Sequence, residues 1–291
     1  MSLKAILDSH GRNAVPFIDP KNPDRPVTLQ IYRPEGHTPD WPVVVVLHGM
    51  LRNGDDYRDF WIKPAERHKL LIVAPTFSDE AYPEPGNYNN GRVYDDEGNL
   101  RPRDRWVYAT PARVVEALRE AGVMTQPKAR IYGHSAGGQF VHRMVSTHGA
   151  DCFSDIVAAN AGWYSLPVLD RVFPEGLGGI GLNEDDLRRL FAYPLRLLAG
   201  MDDSQANAEN LPSNPEALAQ GPGRFQRACN YFARGKAAAE RLDTPFNWMF
   251  TEVPGIAHDG CAMGLAAAAM WFDGALPQTS ELTGGAEAVN F

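Results

Sequence analysis

Long hydrophobic runs, positive charge and cysteine are what this sequence of 291 residues has least of. No stretch of 18 apolar residues occurs, so no segment can cross a bilayer as a helix. Lys and Arg number 28 against 36 Asp and Glu, a formal net charge of −8. That balance excludes a polycationic chain of the kind that wraps nucleic acid or sits on anionic lipid. Cysteine occurs three times, at Cys152, Cys229 and Cys261. The three are far apart, odd in number and in no CxxC or Cys/His spacing, so no metal site and no disulfide scaffold is predicted. A Cys229–Cys261 bridge has no support in the sequence, and three free thiols are predicted. The N-terminus, MSLKAILDSHGRN, lacks the apolar core of a signal peptide. The chain as it stands therefore predicts a cytoplasmic protein, with a secreted or periplasmic one the alternative if a leader has been removed.

What is present is ordinary for a soluble globular protein, 44% hydrophobic and 22% charged. Short β-branched or apolar runs alternate with longer helical patterns. Strands are predicted at Val27–Tyr32, Pro42–Leu47, Leu70–Ala74, Arg130–Gly133, Ile156–Ala159, Leu195–Ala199 and Asn247–Val253. PVVVVLHG is apolar at consecutive positions, as a strand covered on both faces must be. Helices are predicted near Tyr57–His68, Arg105–Ala121, Ala136–Thr147, Arg224–Leu242 and Cys261–Trp271. The alternation predicts an α/β fold: a mostly parallel, doubly wound sheet with helices on both faces and no large cap domain. Two stretches interrupt it. Residues 78–105 are rich in Pro, Gly, Asn and charge, a loop long enough to be functional. Residues 162–193 read as an excursion with one short helix. The domain prediction is therefore one unit over 1–277 carrying both insertions, then a loosely attached tail at 278–291.

Chemistry enters at RIYGHSAGGQF. Gly133-His134-Ser135-Ala136-Gly137 fits G-x-S-x-G, and it lies between a predicted strand and a predicted helix. A serine on so sharp a turn needs near-absent side chains two positions away on both sides, which Gly133 and Gly137 supply. With 27 glycines in the chain, chance yields about 0.1 such motif. The plain alternative is an N-capping serine, and a phosphate-cradling loop fails because no G-K-[ST] follows.

A serine hydroxyl needs a base, and the base needs an orienting carboxylate. In this strand–turn–helix architecture they follow in the order serine, acid, histidine. Of eight histidines, only His258 lies beyond the helix that Ser135 would open, in TEVPGIAHDG after the last predicted strand. His134 is Ser135's own neighbour and is poorly placed to take its proton. His48, His68 and His142 read as packing or surface residues. For the acid, PLRLLAGMDDSQ ends a strand at Gly200 and supplies Asp202 and Asp203 at once, with Asp203 the favoured of the two. Other acids in the interval, such as Glu184–Asp186 and Glu240, fall on helical patterns that read as solvated faces.

An oxyanion requires two backbone N–H donors, each worth about 3 kcal/mol in the transition state. Ala136, after the nucleophile, supplies one. Met50, after the His48-Gly49 end of VVVVLHG, supplies the other unless that dipeptide is only a turn. Trp163 and Tyr164 follow the strand beside the serine, and Tyr88, Asn89 and Asn90 sit in the long loop. Such side chains at a pocket mouth suit an apolar or aromatic ester, and packing of the insertions onto the core explains the aromatics equally well.

The strings VVLHGMLRNGDDY, YGHSAGG, AGMDDS and PGIAHDG together resemble the α/β-hydrolase superfamily over residues 25–275. Within it they resemble the polyhydroxybutyrate depolymerase-like and feruloyl-esterase-like serine esterases of the LpqC type. The resemblance implies a carboxylic ester hydrolase working through an acyl-enzyme, with the acid on the third residue after the strand-ending glycine, Asp203. It implies no metal and no organic cofactor, and a small-molecule or oligomeric ester as substrate. Secreted members that erode solid polyester carry a signal peptide, disulfides and a polymer-binding domain, none of which shows here. Polyhydroxybutyrate oligomers and feruloyl-type esters are therefore both candidate substrates. Two other readings remain in view. A peptidase on the same fold would cleave matched amides faster than esters. A non-catalytic binding module would lack one member of the triad, and no member is lost.

Overall fold

The computed structural model describes residues 2–208 and 210–284. Eight strands, β1 (Gly11–Phe17), β2 (Val27–Arg33), β3 (Val43–Leu47), β4 (Leu71–Thr76), β5 (Ala129–His134), β6 (Phe153–Ala159), β7 (Leu195–Gly200) and β8 (Met249–Val253), form one sheet. Its order is β1-β2-β4-β3-β5-β6-β7-β8. The first two pairings, β1–β2 and β2–β4, are antiparallel and all the others are parallel. This is the predicted α/β-hydrolase-type architecture. β3 and β4 carry near-continuous apolar runs because both faces of the sheet are covered.

Those faces carry ten α-helices among the described residues: α1 (Gly54–Asp59), α2 (Ile62–His68), α3 (Glu84–Asn87), α4 (Thr110–Glu120), α5 (Ala136–His148), α6 (Glu184–Ala192), α7 (Pro215–Leu218), α8 (Arg224–Arg241), α9 (Gly260–Phe272) and α10 (Thr279–Thr283). Two buried clusters follow the two faces. One, around Leu47, Ile131 and Phe140, lies under α4, α5 and α8, and the other, around Val46, Tyr132 and Met263, lies under α2 and α9.

The predicted strands all occur, within a few residues at their ends. The unpredicted one is β1, GRNAVPF. Its Gly, Asn and Pro argue against a strand read in isolation, but it alternates buried and exposed positions. It forms the sheet edge, where Pro16 has only one neighbour to satisfy. The helix predicted at Tyr57–His68 is two, broken at Phe60-Trp61 where Trp61 turns into the core. The tail after Pro277 is not loose at its start. α10 buries Leu282, and Thr279 Oγ1 donates to the Pro254 carbonyl at 3.0 Å. Residues 285–291 lie outside the described residues.

Topology fixes where a site can form. From β3 the chain crosses to β4 on one side, then returns to β5 on the other side of β3. Such a reversal leaves a crevice at the carboxyl ends of the two inner strands. Leu47-His48-Gly49 and His134-Ser135 both end at that crevice.

Candidate active site

Ser135 links β5 to α5 with φ 59° and ψ −116°, a region that non-glycine residues enter only under constraint. The constraint comes from the glycines around it. A Cβ on Gly133 would collide with the Gly137 carbonyl, and one on Gly137 with the Leu47 carbonyl of β3. Helix and strands approach at backbone distance, and the serine is held at the apex. Its own N–H donates to the Ala159 carbonyl at 3.0 Å. It caps nothing through its side chain, which removes the N-cap explanation for the residue.

The Ser135 hydroxyl lies 2.9 Å from His258 Nε2, and His258 Nδ1 lies 2.6 Å from Asp203 Oδ2. Since the carboxylate can only accept, Nδ1 carries the proton and Nε2 accepts from the hydroxyl. Asp203 is buried, while its neighbour Asp202 is exposed. Main-chain ties hold both loops. Asp202 N–H donates to the Ile256 carbonyl at 3.0 Å, and Asn160 bridges the rest. Its Oδ1 accepts from Gly200 N–H at 2.8 Å and its Nδ2 donates to the Ala257 carbonyl at 3.0 Å. Asn160 thus sits at the end of β6 with φ 44° and fixes the Asp203 loop relative to the His258 loop. The only sequence signal for it is an Asn directly after a strand, in VAANAG.

Met50 and Ala136 border the same cavity as Ser135. Neither N–H donates to any group among the described residues. Behind Met50, His48 is fully buried. Its Nδ1 donates to the Gly49 carbonyl at 2.8 Å and its Nε2 accepts from Phe77 N–H at 3.0 Å. Burial pushes its pKa down to about 3, so it stays neutral and props the turn. His134 is also buried, with its ring 4.6 Å from that of His258 and its Nδ1 2.9 Å from the Tyr57 hydroxyl. Burial, with His258 and Arg224 nearby, holds its pKa well below the usual histidine value. It forms a neutral plate beneath the His258 imidazole.

The cavity is about 610 Å³. Trp163, Asn89 and Asn90 line it. Tyr88 and Tyr164 do not. Both are fully buried: Tyr88 stacks on His48 at 4.6 Å and donates to its carbonyl at 2.8 Å, and Tyr164 stacks on Tyr231 at 4.5 Å. Adjacent residues in extended stretches face opposite ways, so only Trp163 of the Trp-Tyr pair reaches the cavity. Three further residues emerge that sequence reading missed. Arg224 opens α8, borders the cavity and bonds Asp203 Oδ1 at 3.2 Å. Gln139 lies one helical turn after Ser135 and faces the same space. Arg143 is fully buried behind them, and its guanidinium bonds Ser165 Oγ, the Asn89 carbonyl, Asn90 Oδ1 and Gln139 Oε1. Its neighbour His142 accepts from Ser165 N–H at 3.0 Å, a second tie between α5 and the 162–193 insertion.

The three cysteines are free and half-buried. No helix among the described residues is long and apolar enough to cross a membrane.

Comparison with solved structures gives a match over nearly the whole chain. LpqC, the poly(3-hydroxybutyrate) depolymerase from Bordetella parapertussis, superposes with a TM-score of 0.93 at 53% identity, covering 97% of each chain. The chain belongs to the LpqC type of α/β-hydrolase serine esterases. Poly(aspartic acid) hydrolase-1 from Sphingomonas sp. KT-1 is also similar, at 35% identity and TM-score 0.86 over 89% of this chain and 98% of that one. An S-formylglutathione hydrolase from Agrobacterium tumefaciens, at 15% identity and TM-score 0.55 over 96% of this chain and 95% of that one, shares the fold. No family model and no curated protein matches. As an LpqC-type enzyme the chain is a carboxylic ester hydrolase.

Proposed function

We propose that Ser135, His258 and Asp203 carry out ester hydrolysis as nucleophile, base and orienting acid, with Met50 and Ala136 N–H groups receiving the oxyanion. The observation that carries this reading is the unbroken relay of 2.9 and 2.6 Å from hydroxyl to imidazole to buried carboxylate, starting at a strained apex. As Ser135 Oγ bonds the ester carbon, His258 Nε2 takes its proton and the carbonyl oxygen becomes an anion. Collapse breaks the bond to the alcohol, which leaves with the proton from Nε2. Water then attacks the acyl-serine, again losing its proton to Nε2, and Ser135 departs with that proton. Asp203 holds the Nδ1 tautomer and stabilises the imidazolium between the steps.

LpqC is named for poly(3-hydroxybutyrate), which makes hydroxyalkanoate oligomers the first substrates to try. A second reading, amide cleavage, is favoured by the likeness to a poly(aspartic acid) hydrolase. Burst release from p-nitrophenyl acetate and labelling by a fluorophosphonate, both lost in Ser135→Ala, test the chemistry. Full turnover by Ser135→Ala would sink it. Matched esters and amides decide between the two readings, and faster amide cleavage would favour the second.

A further inference from the structure

Two guanidinium groups lie sealed behind the cavity wall without a carboxylate in contact among the described residues. Arg143 is fully buried, donates to neutral oxygens only and has its cation 5.2 Å from the Trp163 ring centre. Arg227 is fully buried too, and donates to the carbonyls of Gly162, Pro212 and Gly221. Each keeps one Nη2 with no partner among the described residues. Burying a cation that is matched only by dipoles leaves a positive potential that a nearby anion would relieve.

Arg143 also decides what the cavity presents. A guanidinium can only donate, so Asn90 Oδ1 at 2.9 Å and Gln139 Oε1 at 3.2 Å must both turn toward it. Their NH2 ends are left for the cavity that both residues line. Gln139 Nε2 has room there because Gly162 has no side chain; a Cβ on Gly162 would stand 3.0 Å from it. Arg224 adds a third donor group on the Ser135 side, its own charge matched by Asp203 at 3.2 Å. Among the described residues two carboxylates, Asp79 and Glu84, also line the cavity, on the same 78–105 segment as Asn90, and Asp79 is paired with Arg52 Nε at 3.0 Å.

Resting on the esterase reading above, we infer that the preferred ester carries a free carboxylate, received by Asn90 Nδ2, Gln139 Nε2 and the Arg224 guanidinium over the field of Arg143 and Arg227. A half-ester of a dicarboxylic acid, or the acid-terminated end of a hydroxyalkanoate oligomer, has that chemistry. An aliphatic or aromatic ester of similar size does not.

Matched pairs test it: the mono-p-nitrophenyl ester of glutarate against p-nitrophenyl pentanoate for the acyl side, and β-acetoxybutyrate against its methyl ester for the alcohol side. The charged member of at least one pair should have a kcat/KM higher by about tenfold or more, the scale of one charge-assisted contact. Gln139→Glu and Asn90→Asp keep shape but replace the donor with a carboxylate, and each should cut that charged-to-neutral ratio by about tenfold. Neutral members turned over as fast in both pairs would overturn the inference, as would ratios unmoved in both variants. Turnover of p-nitrophenyl acetate by the same preparation reports the esterase reading separately. Calorimetric titration of the whole protein with glutarate against glutaramide needs no turnover. Equal affinity, or no binding of glutarate, would overturn the carboxylate site even if the esterase reading failed first.

Discussion

The seam at the ends of β5, β7 and β8 and the wall built from residues 78–105 and 162–193 border the same cavity, yet they are held by different means. The seam is a backbone structure. Its glycines let strand and helix touch, and Asp203 and His258 ride on loops tied by main-chain bonds and by Asn160. The wall has little regular structure to lean on. It is gathered around buried side chains, with Arg143 reaching Asn89, Asn90 and Ser165 from α5 and Arg227 reaching Gly162 and Pro212 from α8. A backbone-built seam keeps its chemistry while the wall changes. A wall hung on a few cations can be re-cut for another substrate by changing the residues those cations hold, which is how one fold serves many esters.

Substitutions at the seam should separate chemistry from stability. Ser135→Ala should lower kcat for p-nitrophenyl acetate by about 10⁵-fold or more, as loss of a triad nucleophile does. The melting temperature should not fall, because no side-chain bond of Ser135 stabilises a helix. Asp203→Asn should lower kcat by about 10⁴-fold through the wrong tautomer, whereas Asp202→Asn, exposed and outside the relay, should stay within about threefold. Equal losses at the two aspartates would break the assignment of the acid.

At the wall the order of effects should reverse. Arg143→Met leaves four oxygens without their donor. A cost of about 3 kcal/mol in stability is expected, read from urea unfolding. Turnover of long or branched esters should drop more than labelling of Ser135 by a small fluorophosphonate. An unfolding midpoint equal to the parent's would mean the wall does not depend on this cation.

The smallest effect per residue tests what the two regions share, which is neutral buried histidine. His48 titrates near pH 3 when folded against 6.5 when unfolded, through burial. Above 6.5 neither state is protonated and the histidine costs nothing. Below it the unfolded chain takes up a proton that the folded one refuses, so stability falls as pH drops. At pH 5 this amounts to about 2 kcal/mol for His48, and His134 and His142, lowered by burial too, act in the same direction. Urea midpoints at pH 7.5 and 5 measure the loss, and a flat profile would contradict it.

The legible parts of the site share one property: their physical requirement is local in sequence. A serine between glycines, a carboxylate after a strand-ending Gly200, and a histidine after the last strand each state their need within a few residues. Tyr88 and Tyr164 were illegible because an aromatic at a loop reads the same whether it faces a cavity or the core. Arg224, Gln139 and Asn160 sit in helical or turn patterns that only distant partners make meaningful. β1 was hidden because its edge position, not its composition, makes it a strand.

Periodicity, glycine spacing and the order of serine, acid and histidine thus determined the fold class and the candidate nucleophile, base and acid by themselves, since strand–turn–helix geometry is set by neighbours in the chain. Tertiary structure alone decided which side chains face the substrate and what charge stands behind them. Arg143 meets Asn90 from 53 residues away, and no local pattern carries a contact between residues that only folding brings together.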